Sequence, residues 1–261
     1  MDETLALRAA LGCYVAALAG ARWQRAALAT LSLALALHTA ALLGRWQTHG
    51  HGPFTTMHEI LSSNLWSLAL VLAVAAWALR EVRASLLAAA PVLLVLGGWL
   101  LMADAAPGHF PATYATPLLY LHTLVGKLFL GLLLVALALG AVPVLHLTHW
   151  GRRCWAQAPP DTRMDALAHR FAAFAFVFET LMLIVGAVWA QDAWGRYWAW
   201  DPLESWAFVT WLALAVLLHA RATLRPTPAL HGLWLMGVFA VAFVTFFGVP
   251  FISTTPHKGA L

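Results

Sequence analysis

"PLLYLHTLVGKLFLGLLLVALALGAV", residues 117–142, carries one charged side chain, Lys127, and no alternation of polar and apolar positions. It exceeds the ~20 residues that a helix needs to cross a ~30 Å hydrocarbon layer. It is also far longer than the roughly ten-residue alternating strands of a transmembrane β-barrel. Similar runs recur at about 4–20, 25–44, 59–79, 84–103, 170–190, 204–221 and 230–249, which predicts eight crossings in one all-α membrane domain, residues 1–261. Composition agrees: the chain is 62% hydrophobic and only 10% charged, against roughly a quarter charged in soluble domains.

The net charge of +4 does not point to nucleic acid, because the arginines sit singly or in pairs between apolar runs rather than in one patch. They read as topology signals. Arg22, Arg25, Arg80, Arg83, Arg152, Arg153, Arg163, Arg170, Arg221 and Arg225 fall on one set of connections, and only Arg45, Arg196 and Lys258 on the other. This asymmetry predicts that the first set is cytoplasmic and that both termini face outward. The start, Met1-Asp2-Glu3, has no basic leader, and Arg8 interrupts the first run, so a retained helix is expected rather than a cleaved signal peptide. Cys13 and Cys154 form no C-x-x-C or cysteine metal site, and C-x-x-C-H is missing, so no covalently attached haem is expected on this chain.

On the expected outer face lies "AWGRYWAWDPLESWAFVTW" (193–211), with five tryptophans, one tyrosine and two carboxylates. Tryptophan and tyrosine gather at membrane interfaces regardless of function. Asp201-Pro202-Leu203-Glu204 also has a structural explanation: an N-cap, proline at the first helical position, and the glutamate of a capping box. Density argues for more, since six of the fourteen tryptophans fall between Trp189 and Trp211. Twelve histidines are many for a membrane protein. By helical rise His122 lies about 8 Å below the outer end of the fifth span, and His257 follows the eighth span on the same side. Two imidazoles beside an aromatic shelf suit a flat, apolar, iron-containing ring, because neutral imidazole is a common axial ligand of haem iron.

The pattern W-G-x-x-W-x-W-D, formed by Trp194, Gly195, Trp198, Trp200 and Asp201, resembles the WWD signature of haem-handling proteins in cytochrome c biogenesis. The WWD loop spans about 191–204. The longer "AVWAQDAWGRYWAWDPLESWAFVTWLALAVLLHAR" is similar to the CcsA branch, the cytochrome c synthase subunit of System II, and Pro202, Glu204, Trp206 and "LHAR" separate it from the CcmC haem-delivery branch. "GHGPFTTMHEILSSNLW" (50–66) and "LLYLHT" (118–123) resemble further family segments, so the likeness covers most of the chain. Leu203 stands where the family usually has a basic residue. The resemblance implies that haem b is held at the outer face by His122 and His257, flanking the loop. It implies that His219 ligates a second haem within the membrane, whose other histidine comes from a CcsB-like partner. The activity implied is presentation of haem for covalent attachment to the C-x-x-C-H cysteines of apocytochrome c, as part of a synthase, by a multi-pass protein of the bacterial plasma (inner) membrane. Two other readings stay open: a haem transporter or chaperone that forms no thioether, and a bis-histidine membrane cytochrome b.

Four further expectations concern particular positions. Independently of the family, His219 falls about 22 Å below the outer end of the seventh span, where a histidine can equally serve as a helix cap or bond a carbonyl. His38, within the second span, is a substitute ligand if no partner supplies one. Lys127 and Glu179 lie about 13 to 15 Å deep on consecutive spans and are expected to pair, since intramembrane charges usually find partners or line a cavity. Thr56-Met57-His58-Glu59 reads as a capping box opening the third span.

Overall fold

A computed structural model describes residues 3–21, 23–53, 55–108, 114–250 and the backbone of 251–252. Among these the secondary structure is entirely helical. The helices are α1 (Glu3–Ala19), α2 (Gln24–His49), α3 (Met57–Ala78), α4 (Arg80–Ser85), α5 (Ala90–Met102), α6 (Pro117–Leu145), α7 (His149–Cys154), α8 (Asp161–Trp194), α9 (Pro202–Leu224), α10 (Pro228–Phe243) and α11 (Val249–Ile252). Seven segments are long and apolar enough to cross a bilayer: α2, α3, Arg80–Met102, α6, α8, α9 and Pro228–Gly248. The chain is a multi-pass helical membrane protein. The 17-residue α1 is shorter than these seven.

The opening run becomes α6, the most enclosed helix of the bundle, packed by α3, α8 and α10. Phe129, Leu130, Leu133, Leu134, Val135, Ala136 and Leu139 are fully buried along it. In lipid the drive for such packing is close van der Waals contact rather than escape from water, and small residues permit it. A Cβ on Gly131 would lie 2.7 Å from Val71 of α3, and one on Gly232 of α10 would lie 2.1 Å from the Gly140 carbonyl oxygen of α6. The α6–α10 crossing is therefore a backbone-to-backbone contact.

Two expected spans take different shapes. The fourth is not one helix: α4 passes through a 3₁₀ turn, Leu86–Ala89, into α5, with Pro91 in its first turn. The sixth starts earlier than 170, at Asp161, because the inner turns of α8 are held by polar pairs that hydropathy does not register. Asp165 accepts hydrogen bonds from Arg221 Nε (3.2 Å) and His231 Nδ1 (2.6 Å). Glu81 of α4 pairs with Arg163 at 3.1 Å.

The expected Lys127–Glu179 pair does not form. Lys127 Nζ donates to Ser63 Oγ (2.9 Å) and Asn64 Oδ1 (3.3 Å) on α3. Glu179 is fully buried, and neither carboxyl oxygen has a hydrogen-bond partner among the described residues. The side chains share a depth but project toward different neighbours. His38 is likewise unsuited to ligation, since its Nδ1 meets Tyr14 Oη (3.2 Å) and its Nε2 meets Ser62 Oγ (2.9 Å), tying α1, α2 and α3 together. The capping box at 56–59 is half made. Thr56 Oγ1 accepts from Glu59 N (3.2 Å), but the Glu59 carboxylate is taken by Thr55 (2.9 and 2.7 Å) and by Arg45 Nε (2.8 Å).

Candidate functional site at the tryptophan loop

Thr116 caps α6 by accepting from Leu118 N (3.0 Å), and Pro117 occupies its first turn, which fixes His122 in the second turn. Across the helix pair lies Gly186 of α8, where a Cβ would approach the His122 ring to 2.7 Å. The missing side chain is what lets the imidazole lie against α8. His122 Nδ1 is 3.0 Å from the carbonyl oxygen of Met182. A carbonyl only accepts, so Nδ1 carries the proton, which makes Nε2 the ligating nitrogen of the neutral imidazole. Trp189 stacks against the same ring, with centroids 6.0 Å apart and planes 25° apart. Trp189 itself is held by Tyr114 (5.6 Å) and Trp194 (4.9 Å), both edge-on.

The loop between α8 and α9 is shaped by backbone chemistry. Gly195, at φ +74°, ends α8 in the left-handed conformation that glycine tolerates, and its N–H bonds Gln191 O. Trp200 also has positive φ, +58°, which is strained for a bulky side chain. Glu204 holds it there: Oε2 accepts from Ala199 N (2.7 Å) and Asp201 N (3.4 Å), the amides on either side. Asp201 Oδ1 accepts from Glu204 N at 2.9 Å, so the expected capping box is complete and serves the loop as well as α9. The Trp200 ring is 68% exposed. Trp198 and Trp200 meet edge-on at 5.7 Å, and both abut Phe208.

His122, Gly186, Trp198, Leu203, Glu204 and Phe246 belong to one cavity of about 150 Å³, whose wall is largely apolar. Trp198 Nε1 is buried without a hydrogen-bond partner among the described residues, an arrangement native structures keep for bound water, ligands or function. An imidazole, an aromatic wall and an indole donor unsatisfied among the described residues fit an apolar iron macrocycle with polar edge groups. Closed small-molecule pockets run to about 300–1,000 Å³, so this cleft encloses only part of such a ring.

Of the other anticipated histidine ligands, only His219 is among the described residues. His219 sits about 25 Å along α9 from Pro202 by helical rise, exposed beside Ala215, Val216, Ala220 and Thr223 in a shallow surface hollow. His257 lies outside the described residues. Trp194, Gly195, Trp198, Trp200 and Asp201 all belong to the loop, but Trp194 packs on Trp189 whereas Trp198 and Trp200 pack on Phe208, so the shelf has two parts. Reasoning from sequence missed Gly186, the Met182 carbonyl and the loop-clamping role of Glu204. A glycine within an apolar helix carries no signal of which neighbour it admits.

A helical membrane bundle with an imidazole and a W-G-x-x-W-x-W-D loop at one end defines the class, and sequence comparison gives the family. The model of the cytochrome C assembly protein family matches residues 26–257. The chain belongs to that family. It is CcsA-like: it is 41% identical over 95 residues to the cytochrome c biogenesis protein CcsA of Guillardia theta (36% of this chain, 32% of the relative). Matches to CcsA of Coffea arabica (38% over 96 residues; 37% and 30%) and Panax ginseng (32% over 115 residues; 44% and 36%) are similar. The matched regions span about a third of the length of these relatives.

Proposed function

We propose that this chain works in cytochrome c biogenesis, holding haem b at the outer face of a bacterial plasma membrane for covalent attachment to the C-x-x-C-H cysteines of apocytochrome c. The observation that carries the reading is the His122 imidazole, its Nδ1 proton fixed on Met182 O and its ring on the wall of the cleft beside the tryptophan loop. In this reading α1 is an eighth crossing, both termini face outward, and His257 supplies the second outer ligand. His219, exposed on α9, ligates a second haem together with a histidine of a CcsB-like partner.

The chain's contribution is positioning. The cleft walls exclude water from one side of the ring, Trp198 Nε1 is placed to donate to a polar edge group, and Trp189 keeps the His122 imidazole from rotating. The acceptor thiols react with the haem vinyl groups, so no side-chain nucleophile is required, and rate comes from orientation and a dry site.

The test is to purify the chain with and without a co-expressed candidate partner, record haem spectra and assay thioether formation on a C-x-x-C-H reporter. Haem retention with partner-dependent attachment is expected. Haem retained with no thioether in the presence of partner would favour a transporter or chaperone. A haem spectrum unchanged by His122→Ala would remove His122 as a ligand.

A further inference from the structure

At the end of the bundle opposite the tryptophan loop, α8, α9 and α10 enclose a second group of imidazoles. His231 of α10 is fully buried. Its Nδ1 lies 2.6 Å from Asp165 Oδ1 of α8, and the other oxygen of that carboxylate takes Arg221 of α9 through Nε (3.2 Å) and Nη2 (2.5 Å). Asp165, paired with the guanidinium, accepts a hydrogen bond from Nδ1–H, which leaves Nε2 as the ligating nitrogen of the neutral His231 imidazole. That nitrogen is buried and has no hydrogen-bond partner among the described residues. One turn along α8 from Asp165, His169 also has a buried, unpartnered nitrogen, Nδ1, and the two rings have centroids 5.8 Å apart.

Two unsatisfied imidazole nitrogens in one buried place incur a desolvation penalty unless something lies between them. A ring nitrogen sits about 1.1 Å from its centroid, so rings 5.8 Å apart keep the two nitrogens at least about 3.6 Å apart, and a bound ion would draw them together by a few tenths of an ångström. Two nitrogens on a tetrahedral zinc ion, each at about 2.0–2.1 Å, are about 3.3 Å apart. A ligating histidine that donates its other N–H to a carboxylate is the usual outer-shell arrangement of such sites. Imidazole with no thiolate suits zinc, copper, nickel or iron rather than magnesium or calcium.

We propose that His169 and His231 form a binding site for a first-row divalent metal ion of the zinc type, with Asp165 and Arg221 as positioning residues that fix the His231 tautomer. No third histidine, cysteine, aspartate or glutamate completes the set among the described residues, so water fills the remaining positions. The ion joins α8 to α10, and through Asp165 and Arg221 to α9. The site is separate from the haem reading and stands without it.

The full chain, purified in detergent through a tag without histidine and stripped with chelator, is titrated with Zn²⁺ and with Co²⁺ as a spectroscopic stand-in. One ion per chain, cobalt ligand-field bands and a melting temperature that rises with zinc are expected. His169→Ala and His231→Ala should each weaken binding at least tenfold, while His149→Ala, an exposed histidine at the same end, leaves it unchanged. If His231→Ala does not fold, His169→Ala decides, because His169 is only half-buried and makes none of the cluster's hydrogen bonds. Absence of zinc-dependent stabilisation in the parent protein overturns the proposal, and so does equal affinity in His169→Ala.

Discussion

His122 owes its tautomer to a backbone carbonyl and its place to a glycine. Gly186→Ala puts a methyl group where the imidazole now lies, and the expected outcome is at least a tenfold loss of haem affinity in spectral titration, with helical content unchanged by circular dichroism. Unchanged affinity would show that the ring does not depend on that contact. Glu179 makes the opposite case. A buried carboxyl group with no hydrogen-bond partner among the described residues is costly, so Glu179→Gln should leave the detergent melting temperature unchanged or raise it. A fall of more than about 5 °C, roughly 1–2 kcal/mol for a chain of this size, would mean that a partner had been lost. Lys127 and Glu179 also show where sequence reasoning stops. Hydropathy and helical rise give depth along a span, but two residues at one depth meet only if their helices turn the right faces to one another. That depends on packing by Ser63, Asn64 and the rest of α3.

Local chemistry was readable at helix ends, and it failed where distant chain intervened. Asp201 and Glu204 satisfy one another across a single turn, so four consecutive residues were enough to recognise the box. Glu59 has the same spacing from Thr56, but Arg45 on α2 and Thr55 compete for its carboxylate, and nothing within 56–59 announces them. The loop motif was legible as a motif; its strained Trp200 and the clamp on either side were not. Glu204→Ala keeps the Asp201 cap, which bonds the backbone N–H of residue 204, but removes the clamp on the Ala199 and Asp201 amides. Leaving those amides unpaired should lower stability by about 1–2 kcal/mol in thermal melts and weaken haem binding as Trp200 relaxes. The α6–α10 crossing gives a sharper expectation. Gly232→Ala drives a methyl group into the Gly140 carbonyl, and overpacking of this kind costs about 1–3 kcal/mol, measurable as a lower melting temperature.

For the whole molecule, the fold class followed from run length and charge alone, because a bilayer leaves few solutions for an uninterrupted apolar backbone. The proposed orientation rests on arginine asymmetry and can be tested with the chain's own cysteines. Cys154 is exposed at the end of α7, among the arginines assigned to the cytoplasm. In a Cys13→Ala background, a membrane-impermeant thiol reagent should label Cys154 only after the cells are opened, and labelling of intact cells would invert the topology. The assignment of His219 to a membrane haem rests on family likeness alone, and among the described residues it is exposed in a hollow lined by α9. The burial of α6 contrasts with α8 and α9, which remain mostly uncovered. The cleft therefore has one anchored jaw, bearing His122 on the central pillar, and one jaw strung between two helices gripped from a single side. A neighbouring protein that presses on α9 can tilt the tryptophan jaw while the histidine jaw, held between α6 and α8, keeps its position.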